Sequence, residues 1–458
     1  MKKITKGFIT LGIIIAVQLS CLGQDFSYKD TLNSAINNSF DLKMSETDIG
    51  ISRAQLKAVR ADWYPTLSMQ FNTEYNKDLT DGKGTYAYAG NTMITPFTQY
   101  RDMLYLTLSY NLLDYGIQGK KVHIAKQELA QKEISYKLQL KELKLKVLEL
   151  YTKAQQNNNS LNVKTEVLNL YENMFKNKER MFKAGMNSKL TVMDEAVKIA
   201  KTKNEIENSK IELKNTLEDL AYYTKQDYNL NGLNFRNIDD TDGADDYIVE
   251  ISSNNVIKSE VKKNQFDFTF DPYLTDESRY YDLEIDKKKS ELSILKRQLF
   301  PSFRFYTGYS LYGQNPNNYY SSVQNIGQRS LVIGVSSQYV FFDGFKNRAN
   351  REKTKLEIQK LQLEKEKKLS ELESKYKKSF KTYESYNEEL TTNKDLLATV
   401  KEKLDAVNRL NSNKLIEQNE LLSTKAELLN QEYELEQNII NITSKLEEMK
   451  IMSGADEL

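Results

Sequence analysis

One histidine, His123, and one cysteine, Cys21, are all that this chain offers for a histidine/cysteine zinc cluster or for thiol and imidazole catalysis. A structural zinc site draws on about four nitrogen and sulfur ligands, so a histidine/cysteine zinc cluster is absent. As a general base His123 would need a nucleophile within reach and a third group to orient its ring. The sequence places neither beside it, and His123 reads as a packing or surface residue. The acidic run N-I-D-D-T-D-G-A-D-D, Asn237 to Asp246, has the composition to attract calcium but not the ordered spacing of a calcium loop. It reads as part of a polar connection. No phosphate-binding glycine loop occurs, and carboxylates scattered along helices do not define a glycosidase pair. The expectation is a chain without catalytic residues, cofactor or metal.

Composition points to the elements behind this. Lysine plus arginine, 65, balances aspartate plus glutamate, 64, over 458 residues. No global field favours nucleic acid. With 28% charged residues, 18 glycines and 5 prolines, the chain suits long helices with mixed-charge faces. The 29 tyrosines are an excess that helices do not explain.

The N-terminus pairs basic Lys2, Lys3 and Lys6 with an apolar run through Leu19, the pattern of a secretory signal covering 1–23. Cys21 and Gly23 suit cleavage before Gln24; the competing reading makes Cys21 a lipidated N-terminal cysteine. Nothing later supplies the run of about 18 apolar residues that a spanning helix needs. Alternating β-strands, by contrast, cross a membrane almost invisibly to hydropathy.

An internal repeat organises the rest. K-A-V-R-A-D-W-Y-P-T-L-S-M-Q-F matches S-I-L-K-R-Q-L-F-P-S-F-R-F, pairing Pro65 with Pro301. N-L-L-D-Y-G matches V-F-F-D-G-F, pairing Asp114 with Asp343, and the same offset pairs Arg180 with Arg409. The first repeat is expected over 24–226, a connection over 227–274 and the second repeat over 275–458. Each opens with a helix, about 29–62 and 275–299. Strands follow at about 65–76 and 102–113, then 301–312 and 330–342. Long helices are expected over 117–184 and 187–224, then 345–412 and 415–452.

The strands alternate with period two. Leu67, Met69, Phe71 and Tyr75 oppose Ser68, Gln70 and Asn72; Leu104, Leu106 and Leu108 oppose Thr107, Ser109 and Asn111; Phe303, Phe305 and Leu311 oppose Arg304 and Ser310. Leu331, Ile333, Val335, Tyr339 and Phe341 complete the apolar set. Two readings stand: two half-buried hairpins in a soluble protein, or transmembrane strands with interfacial aromatics. Four strands cannot close a barrel, which takes about eight, so a barrel reading demands oligomerisation. The helix spacing Leu369, Leu372, Tyr376, Ser379, Tyr383, Tyr386, Leu390, Asn393, Leu397, Val400, Leu404, Val407 is a sustained heptad. In the first repeat Leu140, Leu143, Val147, Leu150 and Ala154 form one stripe, and Leu145, Leu148, Tyr151, Val167 and Met174 form a second. Two stripes suit a helix with neighbours on both sides.

The duplicated unit with Y-P-T-L and F-P-S-F at strand entries, L-L-D-Y-G and F-F-D-G-F at strand ends, and the tip R-M-F-K-A-G-M-N-S-K-L-T-V resembles the TolC-like outer-membrane efflux proteins, also called outer membrane factors. The resemblance covers essentially the whole mature chain. It implies a mostly α fold with transmembrane β: a homotrimer whose four strands per chain make one twelve-stranded barrel in outer-membrane lipid, continued by a periplasmic α-helical barrel. It implies a passive exit duct for a tripartite efflux or type I secretion system, with a periplasmic adaptor and an inner-membrane RND or ABC-type pump as partners. The barrel residues expected toward water are then Ser68, Gln70, Asn72, Thr107, Ser109, Asn111, Arg304 and Ser310.

The family's helix-turn-helix tips are where an adaptor docks and the duct narrows. The corresponding residues here are Gly185, Met186, Asn187 and Ser188 in the first tip, and Asn411, Asn413, Lys414 and Leu415 in the second. Lys414 replaces the glycine of the first tip, and Asn411 or Asn413 is expected to supply the turn, since asparagine tolerates positive φ. The family's acidic constriction falls on Glu420 and Ser423, with Glu417 one turn away and Thr191 in the first tip. The rival to a duct is an exported coiled-coil scaffold that transports nothing.

Overall fold

The structure, a computed structural model, describes residues 25–77, 85–88, 91–94, 99–228, 233–238, 270–315 and 318–454. Cys21, the signal segment and most of the acidic run after Ile238 lie outside the described residues. The chain forms two compact units, Thr47–Ile134 with Arg279–Glu366, and Met1–Glu46 with Ser135–Ser278 and Lys367–Leu458.

The first of these units holds a four-stranded antiparallel sheet. After β1 (Asp25–Phe26), α1 (Tyr28–Asn38) and α2 (Phe40–Ala61) come β2 (Thr66–Asn76), a short hairpin of β3 (Thr85–Tyr88) and β4 (Asn91–Ile94), and β5 (Gln99–Leu113). In the second half, after β6 (Asn234–Phe235) and a 3-10 turn at Pro272–Leu274, α5 (Asp276–Arg297) leads to β7 (Ser302–Asn315), the short α6 (Tyr319–Gln324) and β8 (Gln328–Gln338). The strand order is β2-β5-β7-β8, so β2 and β8 are edges. Pro65 and Pro301 stand where helix gives way to strand. Proline lacks the N–H that a helix needs and biases the preceding residue to extended backbone.

The long helices are α3 (Ile117–Lys183) and α4 (Lys189–Thr224), then α7 (Lys346–Ser412) and α8 (Gln418–Ser453). The lengths repeat: 67 and 36 residues in each half. The offset from Asp114 to Asp343 carries one half onto the other, and both aspartates cap alike: Asp114 Oδ2 accepts from Gln118 N at 2.6 Å and Asp343 Oδ2 from Asn347 N at 2.7 Å.

In the unit of long-helix ends, the core gathers Tyr28, Ala35, Leu42, Val147, Tyr151, Ala154, Leu213, Leu220, Phe235 and Ile451. Tyr151 Oη lies 2.7 Å from both Phe26 O and Arg236 O, fixing the parallel β1·β6 pair. Both apolar stripes of α3 bury residues: Leu143, Val147 and Leu150 from one, Leu148, Tyr151, Val167 and Met174 from the other.

The structure corrects several expected boundaries. The helix expected over 29–62 breaks at Ser39, whose backbone turns extended (ψ 123°) and whose Oγ accepts from Leu42 N at 3.3 Å to start the next helix. β8 ends at Gln338 rather than at 342, because its partner β7 begins at Ser302, opposite Gln338; Tyr339 and Phe341 lie beyond the strand. The helices expected from 187 and 415 start at Lys189 and Gln418. The turn of the second tip is made by Lys414 itself, at φ 57°, not by Asn411 or Asn413.

That correction belongs to a pattern. Every positive-φ residue among those described falls into one of four pairs at the repeat offset: Tyr115 with Gly344, Gly116 with Phe345, Gly185 with Lys414, and Lys225 with Gly454. In each pair one member is glycine and the other is not. The backbone path at the helix ends is kept in both copies, while only one copy has the residue type that adopts it freely. The cost at Lys414, on the order of 1 kcal/mol, is offset by helix-end bonds such as Leu415 N to Leu410 O at 3.0 Å. Gly185→Ala is therefore expected to destabilise the first tip by about 1 kcal/mol, and Lys414→Gly to stabilise the second by up to about 1 kcal/mol. Hydrogen exchange of amides in 182–192 and 411–421 reads both, and equal responses at the two tips would contradict the pairing.

Candidate functional site

The register of the sheet sorts its side chains. Directly paired residues share a face, and the pairs Ser68↔Thr107, Gln70↔Tyr105, Asn72↔Met103, Asn111↔Arg304, Ser109↔Tyr306, Tyr105↔Ser310 and Arg304↔Ser336 put all eight expected water-facing residues on one side. Glu74 and Arg101 join them as an ion pair at 3.3 Å. Arg304 Nε donates toward Asn111 Oδ1 at 3.4 Å and Gln70 Nε2 to Asn72 Oδ1 at 2.9 Å. Met103 and Tyr312 also belong to this face and were not singled out in the sequence. Tyr306 crosses to β8 and lies over Gly334, where an added Cβ would come 2.6 Å from its Oη. A side chain at 334 would have to push that ring aside.

The opposite face is apolar and open. Leu67, Met69, Phe71, Leu106, Leu331, Ile333 and Val335 are all exposed, Met69 by 73%. At about 3.4 Å per residue, β7 from Phe303 to Leu311 covers about 27 Å, or about 21 Å of height at barrel tilts of about 40°. Aromatic groups bound this band. At the helix-proximal end are Trp63, Tyr64, the Tyr115–Phe300 pair with ring centroids 5.0 Å apart, and the Tyr339–Phe341 pair at 4.6 Å. At the loop end Tyr75 meets Tyr100 at 4.7 Å, and Tyr100 meets Tyr319 at 6.2 Å. An apolar band between two aromatic rows, backed by a polar face, suits one wall of a lipid-embedded barrel.

The two tips are built differently. In the first, Ser188 caps α4 by accepting from Thr191 N at 3.4 Å, and Thr191 Oγ1 lies 2.8 Å from Asn187 Oδ1 and 2.7 Å from Ser188 O. In the second, the capping position is Glu417, whose side chain makes no cap bond. Glu417 is exposed, as are Glu420 and Ser423, which share one stripe of α8. Gly185, Met186, Ser188, Asn413, Lys414 and Leu415 are exposed as well, while Asn187 and Asn411 are half-buried. Met186 and Leu415, equivalent under the repeat, are apolar at 76% and 69% exposure. Just inside the first tip, Glu195 is buried between Lys178 at 2.7 Å and Lys198 at 3.2 Å.

Between the repeats, α3 and α8 meet through a ladder of polar side chains. Thr152 Oγ1 donates to Ser444 Oγ at 3.0 Å, Gln156 Nε2 to Asn441 Oδ1 at 2.7 Å, Asn159 Nδ2 toward Glu436 at 3.4 Å, and Asn177 Nδ2 to Asn419 Oδ1 at 3.3 Å. Burial pushes the Glu436 carboxyl above the ordinary range, and neighbouring Glu432 adds to it. A polar groove of about 360 Å³ nearby is lined by Gln156, Ser160, Lys164, Glu205 and Tyr433 and pairs no nucleophile with a base.

His123 does have an orienting partner: Asp286 Oδ2 is 2.8 Å from its Nε2, and Gln127 Nε2 donates to the same oxygen at 2.8 Å. The sequence reading missed this group because Asp286 is remote in the chain. The triplet joins α3 to α5. Among the described residues no cluster of three or more histidine, cysteine, aspartate or glutamate side chains could hold a metal ion, and no helix is long and apolar enough to cross a membrane. Of the acidic run, Asn237 accepts from Gln155 at 2.9 Å; its aspartates lie outside the described residues.

Comparison with known proteins agrees with this geometry. Residues 31–224 match the outer membrane efflux protein family. Among solved structures, the outer membrane protein VceC from Vibrio cholerae is similar at 12% identity, TM-score 0.72, over 93% of this chain and 96% of that one. The CmeC outer membrane channel of Campylobacter jejuni gives 13% identity and TM-score 0.71, over 93% and 85%. The MtrE outer membrane channel of Neisseria gonorrhoeae, in its open state, gives 14% and 0.66, over 93% and 88%. No curated protein sequence matches.

Glu195 yields a pH-dependent prediction. Burial raises its carboxyl, but hydrogen bonds from Lys178 and Lys198 outweigh burial and hold it below the ordinary glutamate range. The stabilisation is thus complete above that range and is lost as pH falls through the folded-state value. Glu195→Gln is expected to destabilise by about 1–3 kcal/mol at neutral pH, with the gap to the unmodified protein narrowing below the glutamate range. Thermal unfolding followed by circular dichroism at a series of pH values measures it, and a gap independent of pH would remove the charge from the explanation.

Proposed function

We propose that the chain, whose residues 31–224 match the outer membrane efflux protein family, works as a passive exit duct, the outer-membrane member of a tripartite efflux or type I secretion assembly. The observation that carries this reading is the sheet: barrel-length strands, one polar and one lipid-compatible face, and two open edges. In a bilayer every backbone N–H and C=O needs a partner. Three copies, each pairing β8 with β2 of the next, would satisfy both edges and close a twelve-stranded barrel around the polar face. Ser68, Gln70, Asn72, Thr107, Ser109, Asn111, Arg304 and Ser310 would then line the lumen. The long helices would continue it into the periplasm.

Conduction needs no catalytic group; the work would come from an inner-membrane pump of RND or ABC type, coupled through a periplasmic adaptor. The exposed apolar Met186 and Leu415 at equivalent points of the two tips favour the tips as the adaptor's docking surface, since such side chains mark contact sites. Glu420, exposed in the first turn of α8, is the residue proposed for the narrow end of the duct. Three symmetry-related carboxylates there would favour cations and would repel one another when ionised. A coiled-coil scaffold would need neither the apolar band nor its two aromatic rows.

Protein extracted from outer membranes is expected to migrate as a heat-dissociable trimer and to form cation-selective channels in planar bilayers. A water-soluble monomer without conductance would sink the proposal. Glu420→Gln is expected to reduce cation over anion preference by about twofold or more; unchanged recordings would return Glu420 to the solvated helix surface.

A further inference from the structure

The loop joining β7 to β8 contains the six-residue α6 (Tyr319–Gln324), which sits on the apolar face of the sheet. Three contacts fix its place. Ser322 Oγ donates to Asp102 Oδ2. Asp102 pairs directly with Gly313 on β7, and the backbone of α6 and its following turn lies where a Gly313 side chain would stand, Ile326 N falling 3.0 Å from an ideal Cβ. The Tyr319 ring meets Tyr100 edge-on, 6.2 Å between centroids. Asp102, Gly313 and Tyr100 share the face of Leu104, Leu106 and Leu311, not that of Ser68 and Thr107.

Asp102 is odd on this face. It is 0% exposed, and its Oδ1 is buried without a hydrogen-bond partner. An uncovered carboxylate facing hydrocarbon is costly; here it stands at the edge of the apolar band, one row above Leu104 and one below Tyr100. Ser322 supplies the hydroxyl that such a carboxylate needs, and α6 covers the rest. The outward side of α6 carries Tyr320 at 75% exposure, with Tyr319 and Val323 also exposed. Edge-to-edge pairing between copies would engage β2 and β8, whereas α6 rests on β5 and β7, so another copy would leave it open.

We propose that α6 is an interfacial strap: it lies on the lipid side of the barrel at its outer end, with Tyr319 and Tyr320 in the lipid headgroup layer, and the Asp102–Ser322 bond latches it to the wall. This rests on the reading of the sheet as a barrel wall. Its occupant is a lipid surface, continuous with the apolar band below. Tyrosine suits that layer because its ring is apolar and its hydroxyl seeks water.

The test uses the protein's lone tryptophan, Trp63, replaced in a Trp63→Phe background. Purified protein in phosphatidylcholine vesicles carries either Tyr320→Trp or Leu106→Trp, and quenching by a headgroup nitroxide lipid is compared with that by a nitroxide near the acyl-chain end. Tyr320→Trp is expected to be quenched about twofold or more better by the headgroup label, and Leu106→Trp to show the reverse order. Quenching of Tyr320→Trp by aqueous iodide alone would overturn the strap. Absence of lipid quenching at Leu106→Trp would overturn the barrel reading itself, so the two failures are distinct. Adding Ser322→Ala is expected to shift Tyr320→Trp from lipid to iodide quenching while Leu106→Trp stays unchanged; a Tyr320→Trp signal that stays in the headgroup layer would refute the latch.

Discussion

A backbone amide has nowhere to go in hydrocarbon. The sheet of this protein satisfies its interior ladder through the β2·β5, β5·β7 and β7·β8 pairings, yet each outer edge presents a row of unpaired donors and acceptors. In water such edges are an aggregation hazard; in a bilayer they are untenable. The rest of the molecule answers to that constraint. On the proposed duct reading, the strands have barrel length because they would cross a lipid layer, one face is polar because it would meet water, and four strands would need copies of the chain to close.

Duplication shapes the helical part in a way that side chains alone conceal. The helix lengths and the left-handed turns recur at one offset, so what persists between the halves is the backbone path. Residue identity has drifted around it: Gly185 corresponds to Lys414, and Tyr115 and Gly116 correspond to Gly344 and Phe345. A helix end sets its own geometry through carbonyls that must find donors, and that requirement outweighs the modest preference of a single residue. Side chains diverge further where they are buried. Glu195 with its two lysines occupies the position that Thr424 fills in the second half, buried in both, so one copy uses an ion pair where the other uses a hydroxyl.

Much of the fold was legible because its periods are clean. The alternation from Leu67 to Tyr75 and from Phe303 to Leu311 gave both the strands and their faces, and the heptad from Leu369 to Val407 gave a helix in which none of the twelve positions is exposed. The misreadings have physical causes. Tyr339 and Phe341 continue the alternation, but a strand ends where its partner does, and β7 offers nothing beyond Ser302. Ser39 looked like an interior helix residue, whereas its hydroxyl can replace the backbone bond and start a new helix. Lys414 looked unfit for a left-handed turn because residue preference was weighed without the bonds that surround it. The Asp286 partner of His123 and the seat of α6 on Asp102 are long-range contacts, and no local period announces them.

The ladder between α3 and α8 shows why the long helices are not uniformly apolar. Two antiparallel helices packed only by leucines can slide by a heptad at small cost, since each leucine finds another. Side chains that hydrogen-bond across the seam remove that freedom. Gln156 with Asn441, Thr152 with Ser444 and Asn177 with Asn419 recur along the antiparallel pair in one register. Shifting α8 by a single turn would separate all of them together, with the largest cost, roughly 1–3 kcal/mol each, at the buried Thr152 and Asn419. Because α3 and α8 come from different repeats, the ladder also joins the halves that the duplication set apart. Any displacement of α8 along α3 would therefore have to break these bonds in concert.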